Sequence, residues 1–242
     1  MKKFLLIFTV LAVSLTASAQ APRVDTVAVM ILNRMADVIG DLKSCSYNLS
    51  TSSDVSDYDH GIIKQLGTNE VYMVGPDKML VHSYGDKGHH GYWYNGEKTS
   101  YYSFDENNFT TVETPSGIIN TITFLNINYG LEFPAADFFY PTFTDDILDQ
   151  YKNIVYLGTS MINGKECFNI LASNENQSVQ FWIANDAYNL PQKFVITYKN
   201  TDMQYEATFS NWNLNAEIPN SIFEFMPPPS ATQIVLLPKT VN

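Results

Sequence analysis

Along Tyr205-Glu206-Ala207-Thr208-Phe209-Ser210, apolar and polar side chains alternate almost without fault. This period of two governs most of the chain, and it is the period of a β-strand with one buried face. It returns in the β-branched and aromatic runs Val71-Tyr72-Met73-Val74, Met79-Leu80-Val81, Tyr92-Trp93-Tyr94 and Tyr101-Tyr102-Ser103-Phe104. Later it returns in Ile154-Val155-Tyr156-Leu157, Cys167-Phe168-Asn169-Ile170-Leu171, Val179-Gln180-Phe181-Trp182-Ile183 and the set Phe194, Ile196, Tyr198. Asn95-Gly96 and Asn163-Gly164 separate pairs of these runs, and each reads as a type I′ hairpin turn with positive φ at both positions. The spacing predicts about ten or eleven strands joined as antiparallel meanders, not as βαβ units.

Two interruptions complete the order. Asp25 reads as an N-cap, and Val24, Val27, Ala28, Ile31, Met35, Val38, Ile39 and Leu42 then recur at helical spacing. Between the two strand-rich halves, Thr114-Pro115 fits a helix start, Ile118, Ile122 and Leu125 fall on one face, and Gly130 is the expected stop. Ala135 to Tyr140 reads as a short helical piece ended by Pro141, with the β period back after Asp149. Helix, strands, helical insertion and strands make an α+β chain. No linker divides it, so one domain is expected over 20–242, its compact part ending near Pro227-Pro228-Pro229.

Residues 1–19 are expected to be removed. Lys2-Lys3 precede the apolar stretch from Phe4 to Leu15, and Ala17-Ser18-Ala19 supplies the small-x-small cleavage pattern. The stretch is shorter than the ~20 residues a bilayer core demands, and no cysteine follows it to take a lipid. The expectation is a monomer exported to the periplasm, neither membrane-spanning nor lipid-anchored. Lys+Arg is 14 against Asp+Glu 25, a net charge of −11, which opposes nucleic acid and anionic surfaces. Arg23 and Arg34 are the only arginines. Cys45 and Cys167, in an exported chain, invite a disulfide closing a long loop; a small buried thiol at Cys167 is an equal reading.

The residues offer little for catalysis. In Gly88-His89-His90-Gly91, adjacent strand residues point to opposite faces, and no zinc-like set accompanies them. Asp145-Asp146 and Asp54-x-x-Asp57-x-Asp59 lack calcium-loop spacing and read as solvated turns. Neither a nucleophile elbow, a P-loop nor a dinucleotide fingerprint occurs. No enzyme, metal or cofactor is expected.

Several motifs in order then carry a resemblance. They are Tyr129-Gly130-x-Glu132-x-Pro134-x-Ala136-Asp137-Phe138-Phe139-Tyr140, Tyr156-Leu157-Gly158, Asn163-Gly164-x-Glu166-Cys167, Leu190-Pro191-x-Lys193-Phe194-Val195-Ile196-Thr197-Tyr198, Ser210-Asn211-Trp212-Asn213 and Phe223-x-Phe225-x-Pro227-Pro228. Together they resemble a bacterial family of periplasmic proteins, domain-of-unknown-function family 2092. The chain departs at Thr26, where proline is expected, and at Cys45, where an apolar residue is. The resemblance implies the LolA/LolB-like fold of the lipoprotein-carrier superfamily, a half-open antiparallel β-barrel with helices over an apolar concave face. It implies no catalytic residues. An unclosed sheet must cover its inner face with helices or an apolar ligand. Ile118, Ile122, Leu125, Phe138, Phe139, Trp93, Trp182 and Phe194 are therefore candidates for a cavity wall. The expected function is a non-enzymatic carrier for a lipid, an acyl chain or another hydrophobic ligand. The alternative is an envelope-stress sensor or protein-interaction module of the RseB type, with an envelope protein as partner.

Overall fold

The computed structural model describes residues 23–239. The leader expected over 1–19 lies outside the described residues, as do the outermost residues of the expected domain. Thirteen strands form one sheet, named in chain order β1 Arg23–Val24, β2 Ser44–Asp57, β3 Gly61–Val74, β4 Lys78–Gly85, β5 His90–Tyr94, β6 Lys98–Ser103, β7 Asn108–Glu113, β8 Asn153–Ile162, β9 Lys165–Ser173, β10 Gln177–Ala184, β11 Pro191–Tyr198, β12 Met203–Leu214 and β13 Thr232–Gln233. Their spatial order is β1-β8-β9-β10-β11-β12-β2-β3-β4-β5-β6-β7-β13. The chain thus lays down two antiparallel meanders, β2 to β7 and β8 to β12, and fuses them through β12 and β2. Among the described residues, only the two-residue strands β1 and β13 pair in parallel, one at each rim. The sheet curls without closing and is α+β, antiparallel-dominated and half-open, as the strand spacing and the family resemblance led one to expect.

One face of the sheet carries the main core. Register aligns Tyr47 with Val71 and Cys45 with Met73 on one side, and Phe209 with Leu49 and Phe194 with Ala207 on the other. Helix α1, Thr26–Gly40, packs on this face through Ala28, Ile31, Leu32, Met35 and Ile39. Asp25 caps it by accepting from the Val27 N–H at 2.9 Å. The stripe shifts slightly from expectation. Val24 lies in β1 and Val27 in the first turn, both over two-fifths exposed, while Leu32 is fully buried. Helix α2, Ile118–Tyr129, starts later than Thr114-Pro115 suggested. The Pro115 carbonyl is instead occupied by the Tyr94 and Thr121 hydroxyls, and Gly117 makes the N-cap at φ 90°. Gly130 ends it in the left-handed region at φ 68°.

Three further elements depart from the sequence reading. Asp145-Asp146 is no solvated turn but the first turn of helix α3, Phe143–Gln150, where carboxylates meet the positive end of the helix dipole. Asn163-Gly164 has φ of 48° and 79° and makes the expected two-residue turn. At Asn95-Gly96 only the glycine has positive φ. The Asn95 side chain accepts from the Glu97 and Lys98 N–H groups and opens a three-residue loop instead. The chain also does not finish at Pro227-Pro228-Pro229, since β13 adds to the β7 edge beyond it.

The disulfide is a correction. Cys45 and Cys167 are both free and buried. Cys167 sits on β9 and Cys45 on β2, with β10, β11 and β12 between them. Four strand spacings of ~4.8 Å put them roughly 19 Å apart along the sheet, far beyond the ~7 Å limit for bridged Cα atoms. Burial pushes the Cys45 thiol up to about 12, which keeps it protonated and slow to oxidise. We expect two thiols to react after denaturation without reductant, and melting to be indifferent to reductant. A mass two hydrogens lighter than the free-thiol form is the result that contradicts this placement.

Candidate functional site

The inner face is divided into a packed part and a hollow part. In the packed part, the 3-10 turn Ala136–Phe139 drives Phe138 into the sheet. Its ring stacks on Phe143 at 4.9 Å and 22°, and meets Phe194 at 5.3 Å and Phe209 at 5.5 Å. Phe139 stacks on Tyr47 at 5.8 Å, and Trp212 lies 4.5 Å from the same tyrosine. Centroid distances between 4.5 and 7 Å with offset or tilted planes are the favourable aromatic arrangement. This cluster fixes the insertion to the sheet.

Beside it is a cavity of about 570 Å³. Its floor is the middle of the sheet: Thr51 and Ser53 of β2, Asn69 of β3, Val81 and Ser83 of β4, Tyr92 of β5, Phe194 and Ile196 of β11, and Tyr205 of β12. Its cover is Ile122, Thr123 and Asn126 of α2 with the segment from Leu131 to Asp137. The cover is tied to itself: the Thr123 and Tyr140 hydroxyls lie 3.0 Å apart, and the Asn126 amide donates to the Leu131 carbonyl at 3.2 Å. Phe133 enters edge-on against Tyr92 at 5.1 Å.

The wall is more polar than the aromatic count of the sequence suggested. Several of its polar groups are already engaged. Ser83 donates to the Asn69 side-chain oxygen at 2.6 Å, and the Asn69 amide donates to the Leu49 carbonyl. The Thr51 hydroxyl donates to the Gly67 carbonyl. The Tyr205 hydroxyl is different: it is sealed from solvent and has no partner. Burial raises the Tyr92 and Tyr205 phenols, so both remain proton donors. Burial, with His89 adding, holds His90 below its ordinary value, so it is neutral at pH 7. The charged residues of the wall are Lys87, Glu132 and Asp137, all at its exposed rim.

Of the eight residues that sequence reasoning put forward, the structure brings Ile122 and Phe194 to the cavity. Phe138 and Phe139 belong to the packed cluster next to it. Leu125 is buried on α2 and Ile118 packs on the core, neither of them lining the space. Trp93 and Trp182 require correction, because strand alternation turns them to the opposite face. Trp182 neighbours the inward Phe181 and Ile183 and carries the Lys193 ammonium 5.7 Å above its ring. Trp93 joins Tyr102 and Phe109 beneath Phe225, whose ring lies 4.9 Å away. That cluster, with the fully buried Phe223, is a second small core made by the C-terminal segment on the outer face. Phe104 stacks on His89 at 4.0 Å, so the histidine pair sits among aromatic rings. Among the described residues, no three His, Cys, Asp or Glu side chains come together as a metal set.

The sequence reading did not single out Tyr205, Tyr92, Phe133 or the Asn69–Ser83 pair. The alternation in β12 showed that Tyr205, Ala207 and Phe209 share a face. Register, which aligns Tyr205 with Ile196 and Ser53, decided that this face is the inner one.

The model of a family described as predicted periplasmic protein (DUF2092) matches residues 28–237. No curated protein matches the sequence. Among solved structures, an uncharacterized conserved protein from Thermus thermophilus superimposes with a TM-score of 0.52 at 9% identity, covering 86% of this chain and 98% of its own. LprF from Mycobacterium bovis gives 0.51 at 11% identity, covering 88% and 100%. At such identities the likeness bears on fold alone, and that fold is the LolA/LolB-like half-open barrel. No helix among the described residues is long and apolar enough to cross a membrane.

The divided inner face sets different costs for a buried charge. Phe138→Asp puts an unpaired carboxylate inside an aromatic cluster, a loss of about 4 kcal/mol or more, which lowers the melting temperature by roughly 10 °C. Ile196→Asp borders the hollow from a half-buried position, where the carboxylate keeps water, and we expect less than half that shift. Equal shifts in thermal melts contradict the division.

Proposed function

This chain belongs to the DUF2092 family of predicted periplasmic proteins, and from that premise we propose that it is a non-enzymatic periplasmic binding or carrier protein. Its ligand would be a lipid, an acylated molecule or another amphiphile with an apolar body. The observation that carries this reading is the 570 Å³ cavity between an unclosed sheet and a helical cover. Its size lies within the ~300–1,000 Å³ typical of pockets for a single small ligand. Val81, Ile122, Phe133, Phe194 and Ile196 offer apolar wall, and each methylene laid against such surface contributes ~0.8 kcal/mol. Entry needs only the cover to move. Its segment from Leu131 to Ala135 carries no helix or strand, and Ala135 is held at φ 63°, in the left-handed region a side chain occupies at a cost. The export leader expected over 1–19 fits this reading, since it would deliver the protein to where envelope lipids and lipoproteins travel.

A specific observation also supports the second reading, an interaction module. Beyond its pairing with β1, the outer edge of β8 is unpaired and displays Leu157 and Met161, each more than half exposed. An extended peptide can add to such an edge by main-chain hydrogen bonds. A stoichiometric partner captured from envelope extracts, together with no co-purified amphiphile, favours this reading over the first.

The carrier reading expects native mass spectra of protein purified gently from the periplasm to contain a co-purified amphiphile. After delipidation it expects a fluorescent acyl probe to bind at one per chain. Ile196→Asp should abolish that binding while the protein remains folded, since the charge faces the site from a half-buried position. Clean mass spectra together with no probe uptake by the delipidated wild type contradict the reading.

A further inference from the structure

A lipid-like ligand, on the carrier reading above, needs a dry place for its hydrocarbon, yet the open cavity is lined in large part by polar side chains such as Thr51, Ser53, Ser83 and Asn126. A drier surface lies behind Phe133. There a second void of about 10 Å³, room for roughly one water, is walled by Val71, Met73 and Met79 with Tyr47. Asn69 also borders it, but its side chain is already bonded to Leu49 and Ser83. Met73 and Met79 face each other across β3 and β4, and unbranched thioether side chains repack readily around an inserted group.

Phe133 stands between the two spaces. It borders both, as do Val81, Ile122 and Pro134. Its ring is half-buried, and the aromatic neighbour it meets is Tyr92, edge-on at 5.1 Å. Phe138, by contrast, is fixed among Phe143, Phe194 and Phe209. The backbone beneath Phe133 is equally loose. Residues 131–135 belong to no helix or strand, and Ala135 sits at φ 63°, a strain that a shift of the segment would release. The Phe133 carbonyl accepts from the Ala136 N–H at 3.1 Å, a bond that rotation of the side chain leaves intact. Such a ring can trade places with hydrocarbon at little net cost, because the surface behind it stays covered by apolar atoms.

We infer that Phe133 is a plug occupying the place of the ligand's hydrocarbon tail. A linear acyl chain enters the open cavity, turns the ring out, and runs between Val81 and Ile122 onto the Met73–Met79 pair. The passage is one side chain wide, so the ligand class is an amphiphile with a flexible single chain, not a rigid ring system. Phe133 and Val71 are then specificity-determining residues for chain length.

Three probes that differ only in the tail test this: monooctanoyl-, monodecanoyl- and monododecanoylglycerol, each titrated into delipidated protein below micelle formation. A wall residue cut back to alanine loses contact and weakens binding, whereas removing a plug strengthens it. Phe133→Ala should therefore bind the dodecanoyl probe about tenfold more tightly than wild type, as expected when the open state is populated at roughly a tenth or less. Phe133→Leu should move in the same direction by less, and it serves if the alanine variant does not fold. Val71→Ile adds one methylene at the far end, behind the plug. It should weaken the dodecanoyl probe about fourfold and leave the octanoyl probe unchanged. Unchanged or weaker binding in the Phe133 variants overturns the plug, and a Val71→Ile length profile identical to wild type overturns the placement of the tail. Either result leaves the carrier reading standing. Failure of every probe to bind wild type and variants alike overturns the carrier reading itself.

Discussion

The antiparallel pairing of β12 with β2 is the contact on which the rest of the structure depends. It joins the first meander to the last across more than a hundred and fifty residues of sequence, aligning Ala207 with Thr51 and Phe209 with Leu49. Without it there are two separate sheets, each with an apolar face and a bare edge. With it there is one inner surface broad enough for α1 to pack at one side and the insertion at the other. Because the strand period is two, a slip of one residue in this pairing would send Tyr205, Ala207 and Phe209 to the outer face. The aromatic cluster and the cavity wall would be lost together. Asp54, near one end of the pairing, accepts from the Gln204 N–H and holds the Lys64 ammonium at 2.8 Å. These bonds depress its carboxyl below the usual range, the Lys64 contact contributing most.

The inner surface is larger than its cover, and the excess is the site. Phe138 and Phe139 pin the insertion to Tyr47, Phe194 and Phe209 of β2, β11 and β12, while α2 and the segment from Leu131 to Asp137 arch over the middle of the sheet without filling the space beneath. The outer face is treated in the opposite way. There the C-terminal segment lays Phe223 and Phe225 on the sheet and closes a dry cluster with Trp93 and Tyr102. Part of one face is covered by the chain's own tail; the other is left with room for something that is not the chain.

Much of this was legible in the sequence. Alternation and helical spacing revealed the element order, and Asn163-Gly164 announced its turn because two residues suffice to specify it. Asn95-Gly96 misled because the same dipeptide can cap its own loop through the asparagine side chain, which here accepts from the backbone N–H groups of Glu97 and Lys98. Helix α3 escaped notice because its buried residues, Phe143, Thr144 and Ile147, make barely one turn of pattern among carboxylates. The cavity was legible only in part. Apolar spacing marks burial, and Trp93 and Trp182 are apolar and partly buried on the wrong face. Tyr205 is invisible to the same reasoning, since nothing local tells which face of β12 will turn inward. Faces follow from register, and register is a property of pairs of strands distant in sequence.

The central claim is that the inner face is divided into a packed part that holds the fold and a hollow part that holds a ligand. Amide hydrogen exchange on delipidated protein, with and without a saturating acyl probe, tests it most directly. Local opening is cheapest where few contacts hold the backbone, and a ligand adds protection where it supplies them. The account expects added protection in α2 and in residues 131–137, with exchange in α1 and in β8 to β10 unchanged apart from the general rise in stability that binding confers. Protection confined to the outer-face cluster around Phe225, or bound ligand with no change in α2, would contradict it.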